Sequence, residues 1–154
     1  VVKDAVDNFT KNLKIPPINS NSIQIKITKL LSKPNVDWAE EWEQCLVKAI
    51  DQPFDSFIEL NTWLIQNNKS LVYVIDGVED LFDSPSSENQ RAAIKALLEI
   101  PNSLNSIRQR KIGIVCFVRA DYVQASIRQN IAQYLARFHP FRLEWTPEAF
   151  LRLV

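Results

Sequence analysis

Two apolar runs in this sequence each end in groups suited to phosphate chemistry. Leu71 to Ile75 runs into Asp76-Gly77-Val78-Glu79-Asp80, and Ile112 to Val118 runs into Arg119. Three carboxylates and one guanidinium therefore stand at the ends of what read as strands. Phosphoryl transfer needs a cation to neutralise phosphate charge, a carboxylate to hold that cation, and a group that orients the attacking water. Magnesium keeps several of its waters, so one aspartate on a rigid strand end suffices to hold it through the hydration shell. Asp76 has that position and is the candidate metal-side residue. Glu79 and Asp80 are the candidates for polarising water. Arg119 can contact a γ-phosphate or stabilise charge in the transition state.

Each residue also has a plain structural reading. Asp76 can cap a strand-to-helix turn with Gly77, although an acid ending so apolar a strand requires a partner to offset its burial. Glu79 and Asp80 can be solvated acids in a first helical turn. Arg119 can pair with Asp76 or Asp121. His139, beside Pro140, reads as a loop residue, and Arg108, Arg110 and Lys111 read as a solvated loop. Trp38, Trp42, Trp63 and Trp145 sit at core or core-rim spacing, with one available to an interface.

The elements that must position these groups alternate in period. Val2, Ala5, Val6, Phe9 and Leu13 share a helical face that Pro16-Pro17 ends. Residues 22–31 fit either a strand (Ile23, Ile25, Ile27) or a helix (Ile23, Ile27, Leu30, Leu31), with helix favoured. Asp37 with Glu40 and Ser56 with Glu59 suggest capped helix starts. Behind them Trp38, Trp42, Cys45 and Ala49 face inward in one helix, and Phe57, Leu60 and Leu64 in the next. Leu71 to Ile75 reads as a strand buried on both faces. Ser87 with Gln90 opens a helix bearing Ile94, Leu97 and Leu98, which Pro101 is expected to end. Ile112 to Val118 reads as a second buried strand. Asp121 can cap a helix with Val123, Ile127, Ile131 and Leu135 on one face. Phe141 to Trp145 reads as a third strand, followed by Thr146-Pro147 as a helix start. This alternation predicts a parallel sheet with helical crossovers, an α/β sandwich.

Composition narrows the chemistry. The chain has 154 residues, 46% hydrophobic and 23% charged, with 18 basic and 18 acidic side chains that cancel. No overall field draws it to nucleic acid or an anionic membrane, and no apolar run approaches a membrane span. Cys45 and Cys116 lack CxxC spacing, which leaves metal and redox motifs unsupported and reduced thiols in a cytoplasmic setting expected. There are only two glycines, Gly77 and Gly113, where average usage of about 7% would give about eleven. GxxxxGK[ST] and GxGxxG are both absent. The chain lacks methionine, begins Val1-Val2 and ends Phe150-Leu151-Arg152-Leu153-Val154, so both ends are expected to be cuts in a longer polypeptide.

Tyr73-Val74-Ile75-Asp76-Gly77-Val78-Glu79-Asp80-Leu81-Phe82 resembles the Walker B segment of STAND-type P-loop NTPases of the ASCE class, especially NACHT-like ones. Ile114-Val115-Cys116-Phe117-Val118-Arg119 resembles their next strand, which ends in the sensor 1 arginine. Phe141-Arg142-Leu143-Glu144-Trp145-Thr146-Pro147-Glu148 resembles the strand and acidic turn that follow. The likeness covers residues 70–154. It implies that the single α/β unit over 1–154, which the periodicity makes mainly helical over 1–69, belongs to a three-layer sandwich with a mainly parallel sheet. It implies Asp76 on the magnesium side and Glu79, Asp80 and Arg119 as catalytic groups. Mg2+ and ATP are expected only with an upstream P-loop, and the chain alone is expected to be inactive. Implied partners are the rest of a larger polypeptide and, as one option, further copies through the NTPase domain, with neither membrane nor nucleic acid expected.

In the resembled fold the P-loop strand lies between the strands expected at 112–118 and 141–145. Here it is supplied from upstream, or residues 23–27 take its place as a degenerate strand, or the family differs. The competing functions are a non-catalytic α/β interaction module with a decayed site and, more weakly, the motor half of a nucleic-acid processing enzyme.

Overall fold

The computed structural model describes residues 20–50, 53–82, 87–128, 131–137 and 146. The expected helix over 2–13, the strand at 141–145, His139, Trp145, Pro147 and the closing helix lie outside them. Helix α1 (Ser20–Leu31) resolves the ambiguity at 22–31 in favour of helix, with Ile27 and Leu30 buried and Ile25 exposed. Residues 23–27 therefore do not supply a strand.

Helix α2 (Trp38–Lys48) starts as its sequence suggests, because the Asp37 carboxylate accepts from the backbone N–H of Ala39 at 3.1 Å and Glu40 at 3.2 Å. These are donors that the first turn would otherwise leave unpaired. In α3 (Phe57–Gln66) the Ser56 hydroxyl accepts from Glu59 N at 3.3 Å, and the Glu59 carboxylate reaches back to Asp55 N at 2.9 Å. Phe57, Leu60 and Leu64 point inward as expected, and Asn61 joins them.

Strands β1 (Leu71–Ile75) and β2 (Ile112–Cys116) form a parallel pair in register from Leu71↔Ile112 to Ile75↔Cys116. The α/β reading stands at this level: helices packed on a parallel pair joined by a helical crossover. β2 ends earlier than expected, with Phe117 and Val118 already leaving the strand.

The two strands are not buried on both faces. Because side chains alternate across a strand, Leu71, Tyr73 and Ile75 share one face with Ile112, Ile114 and Cys116, and all six belong to or pack against the core. Val72 (59% exposed), Val74 (66%), Val115 (45%) and Phe117 (42%) share the other. Among the described residues helices cover only the first face, and each strand keeps one unpaired edge.

Helix α4 (Glu88–Leu104) is the crossover, and it corrects the expectation that Pro101 ends it. A proline inside a helix costs about 3 kcal/mol through its lost N–H and ring clash. Here Leu104 continues the buried stripe at 1% exposed, and the Ser103 hydroxyl donates to Ile100 O at 2.8 Å. Burial of the last turn outweighs the broken ladder.

A second correction concerns residues 121–135. One capped helix was expected; two seven-residue helices form instead, α5 (Ala120–Ser126) and α6 (Ile131–Arg137). Asp121 lies inside the first turn of α5 rather than at its cap. The buried residues are Tyr122, Ile127 and Tyr134, whereas Val123, Ile131 and Leu135 are only half-buried.

The core is held by aromatic side chains that bury their rings and still satisfy their polar tips. The Trp42 indole donates to Ala93 O at 2.8 Å, and the Tyr73 hydroxyl donates to Leu46 O at 2.9 Å. Trp38 donates to Asn89 Oδ1 at 2.7 Å, while the Asn89 amide donates to Leu31 O at 2.7 Å, so one side chain ties α1, α2 and α4. Trp63 is at the rim, beneath the Lys69 ammonium at 4.9 Å. The Arg108 and Arg110 side chains are exposed in the loop before β2, as expected.

Candidate functional site

The parallel register brings the ends of both strands to one edge, where Phe117 N donates to Ile75 O at 2.8 Å. Asp76 is the next residue beyond β1. It is exposed, and its Oδ1 accepts from the N–H of Gly77 at 2.9 Å.

Gly77 then turns the chain with φ +70°, and Val78–Leu81 form a single 3-10 turn. An L side chain at this φ is strained, and a Cβ would sit 3.3 Å from Asp80 Oδ2. Gly77→Ala is therefore expected to destabilise the chain by about 1–2 kcal/mol, read as a lower urea midpoint at unchanged slope. An unchanged midpoint would show that the turn relaxes freely.

Val78 (2% exposed) and Phe82 (4%) anchor the two ends of the turn in the core. The Tyr122 hydroxyl donates to Phe82 O at 3.2 Å and fastens α5 to it. Between these anchors Asp80 faces solvent and Glu79 is half-buried. Glu79 Oε2 is shielded from solvent and has no hydrogen-bond partner among the described residues.

Arg119 takes the plainer of its two readings within this chain. Its Nε and Nη2 donate to the Asp121 carboxylate at 3.1 and 2.8 Å, and its guanidinium lies 5.5 Å from the centre of the Tyr122 ring. The Asp121 hydrogen bond raises the Arg119 pKa, with a smaller contribution from the nearby charge of Glu79. The same pairing holds Asp121 below its ordinary carboxylate value. The pair is exposed, which makes it weak and separable.

The structure thus gathers Asp76, the 79–80 acids and Arg119 at one sheet edge, with Arg119 held by Asp121 instead of by Asp76. Among the described residues no three His, Cys, Asp or Glu side chains converge on a direct metal site. Cys116, on the covered face of β2, has its thiol pushed up to about 11 by burial, so it stays protonated near neutrality.

Two polar anchors escaped the sequence reading. Asn61 is 3% exposed; its Oδ1 accepts from Lys111 N at 2.7 Å and its amide donates to Arg108 O at 3.5 Å. It fixes the loop that feeds β2. The signal was a polar residue four positions from Phe57 and three from Leu64, on the inward face. Tyr122 carried no such signal, since its hydroxyl acts on a carbonyl forty residues away.

No family model, curated protein or solved structure matches the chain. No helix among the described residues is long and apolar enough to cross a membrane.

Proposed function

We propose that this chain is the magnesium- and water-side wall of an ATP-binding NTPase switch domain, of the STAND or NACHT-like kind, completed by a P-loop from elsewhere in a larger polypeptide. The observation that carries this reading is the shared carboxyl edge of β1 and β2. There Asp76 emerges solvent-facing, Glu79 keeps a shielded unpartnered oxygen, and Arg119 stands within reach of the same edge. Ligands of parallel α/β sheets bind beyond that edge. In this reading Asp76 holds magnesium through its water shell, Glu79 or Asp80 polarises the attacking water, and Arg119 leaves Asp121 to meet the γ-phosphate. The free edge of β2 and the apolar face of Val72, Val74, Val115 and Phe117 fit a three-layer sandwich whose further strands and helices lie elsewhere.

The test is calorimetry of ATP with and without magnesium, on the chain alone and joined to its flanking polypeptide. Magnesium-dependent binding and turnover are expected only in the longer protein. Turnover by residues 1–154 alone, or none in a longer protein bearing a P-loop, would sink the assignment. A second reading is a non-catalytic interaction module, favoured by the Arg119–Asp121 pair and by the same open apolar face. Magnesium-dependent ATP binding by the longer protein would count decisively against it.

A further inference from the structure

A cleft of about 430 Å3 opens between α4 and the α5–α6 pair. It shares no residue with the edge that carries Asp76, and its reading does not rest on the nucleotide proposal. Its volume falls in the range small-molecule sites use. The walls are fixed rather than incidental. α5 packs along α4, and the Tyr134 hydroxyl, on α6, donates to Leu98 O of α4 at 2.7 Å.

Charge is distributed unevenly around this cleft. Lys95, Arg128 and Arg137 line it, against one carboxylate, Glu99. The chain as a whole carries no net charge, so three cations on one cleft are a local excess. None of the three forms an ion pair among the described residues, where the pairs are Lys26–Glu41 and Arg119–Asp121. Glu99 is already engaged, accepting from the Asn102 amide at 2.9 Å.

A separate observation points to a ligand. Ser126, the last residue of α5, lines the same cleft, and its Oγ is shielded from solvent without a hydrogen-bond partner among the described residues. A helical serine can ordinarily return its hydroxyl to a carbonyl one turn back; this one does not. A shielded hydroxyl without a partner is costly. Rotation of this hydroxyl toward the cleft would let an anion there supply the missing acceptor.

We propose that this cleft binds a small phosphate-bearing molecule. Ser126 would donate to a phosphate oxygen, Arg128 and Arg137 would supply planar guanidinium donors that match phosphate geometry, and Lys95 would act as a point charge. Glu99 opposes the anion and would restrict the site to ligands whose charge is met by all three cations.

The test titrates the 154-residue chain separately with pyrophosphate and glycerol phosphate, following amide shifts by NMR and heat by calorimetry. Saturable binding of either is expected, with shifts centred on residues 95–99 and 126–137, and the tighter ligand identifies the diphosphate or the phosphomonoester class. The double variant Arg128→Gln/Arg137→Gln is expected to weaken binding about tenfold or more. Ser126→Ala should weaken it measurably with the charge intact. Lys48→Gln, an exposed lysine on α2, should leave it unchanged. Absence of saturation with both ligands, or equal weakening by Lys48→Gln and the arginine pair, would overturn the proposal. Thermal melting of each variant separates lost binding from lost fold.

Discussion

ATP turnover by a polypeptide joining this chain to a P-loop is expected to fall about a thousandfold on Asp76→Asn, with the melting temperature almost unmoved. The two halves of this expectation have different origins. Asp76 lies beyond the last paired residue of β1, faces solvent, and accepts from the N–H of Gly77 through Oδ1. Asparagine keeps that oxygen, so the turn is preserved and the stability change should stay within about 0.5 kcal/mol, as for an ordinary surface substitution. What asparagine removes is the negative charge that, in the proposed function, holds a hydrated magnesium ion. Losing one charge-stabilising group from a preorganised site typically costs a factor of about 100 to 1,000 in turnover, and the higher figure applies where the cation itself is no longer placed. Glu79→Gln should behave differently, lowering turnover while magnesium-dependent ATP binding persists, because its proposed part is with water. Steady-state turnover and calorimetric ATP affinity, measured on the same proteins, separate the two roles. Undiminished turnover in Asp76→Asn would remove the central assignment.

That separation of fold from charge explains why some features were legible in the sequence and others were not. Asp37 and Ser56 announce helix starts because a cap is a local device: one side chain meeting N–H groups two or three residues on. The strands Leu71–Ile75 and Ile112–Cys116 are legible because β-branched runs bounded by turn residues leave few alternatives. Pro101 misleads because its local cost is real but is outweighed by burial of the last turn, Leu104 included, which depends on packing distant in sequence. The break between α5 and α6 is hidden for the same reason. Val123, Ile127, Ile131 and Leu135 would share a face of one continuous helix, but the groups that pin the two helices are the hydroxyls of Tyr122 and Tyr134, bonded to Phe82 O and Leu98 O. At the candidate site, the types and order of Asp76, Glu79, Asp80 and Arg119 were legible. Asp121's capture of Arg119 was one of two pairings the sequence left open. The exposed face of Val72, Val74, Val115 and Phe117 was not foreseen. An apolar run reads as doubly buried, and nothing in its pattern tells which face the chain itself leaves open.

The fold that presents this edge rests in part on the contact between α2 and α4, and Trp42→Ala is expected to cost about 3–5 kcal/mol of stability. Trp42 is 2% exposed, donates its indole N–H to Ala93 O at 2.8 Å, and leans on Trp38 with ring centres 6.5 Å apart. Its neighbours on α4 leave little room for collapse, since Ala93, Ile94 and Leu97 are each fully buried. A truncated side chain here leaves a cavity that rigid helices fill poorly. Trp42→Phe restores much of the volume but not the donor, and should cost less. Against a total stability of about 5–15 kcal/mol, that cost is about a fifth or more of the whole, and at the lower end of the range the alanine variant would be close to unfolded. Urea unfolding followed by circular dichroism reads the effect as a lower midpoint. The consequence reaches the candidate site through α4, the crossover that sets β2 beside β1. Once α4 loses its seat on α2, the register of Ile75 with Cys116 has less to hold it, and Asp76 and Arg119 lose their common edge. A cost below about 1 kcal/mol for Trp42→Ala, well under the usual range for a buried tryptophan, would mean that α4 is held chiefly by the sheet, and that the edge does not depend on this contact.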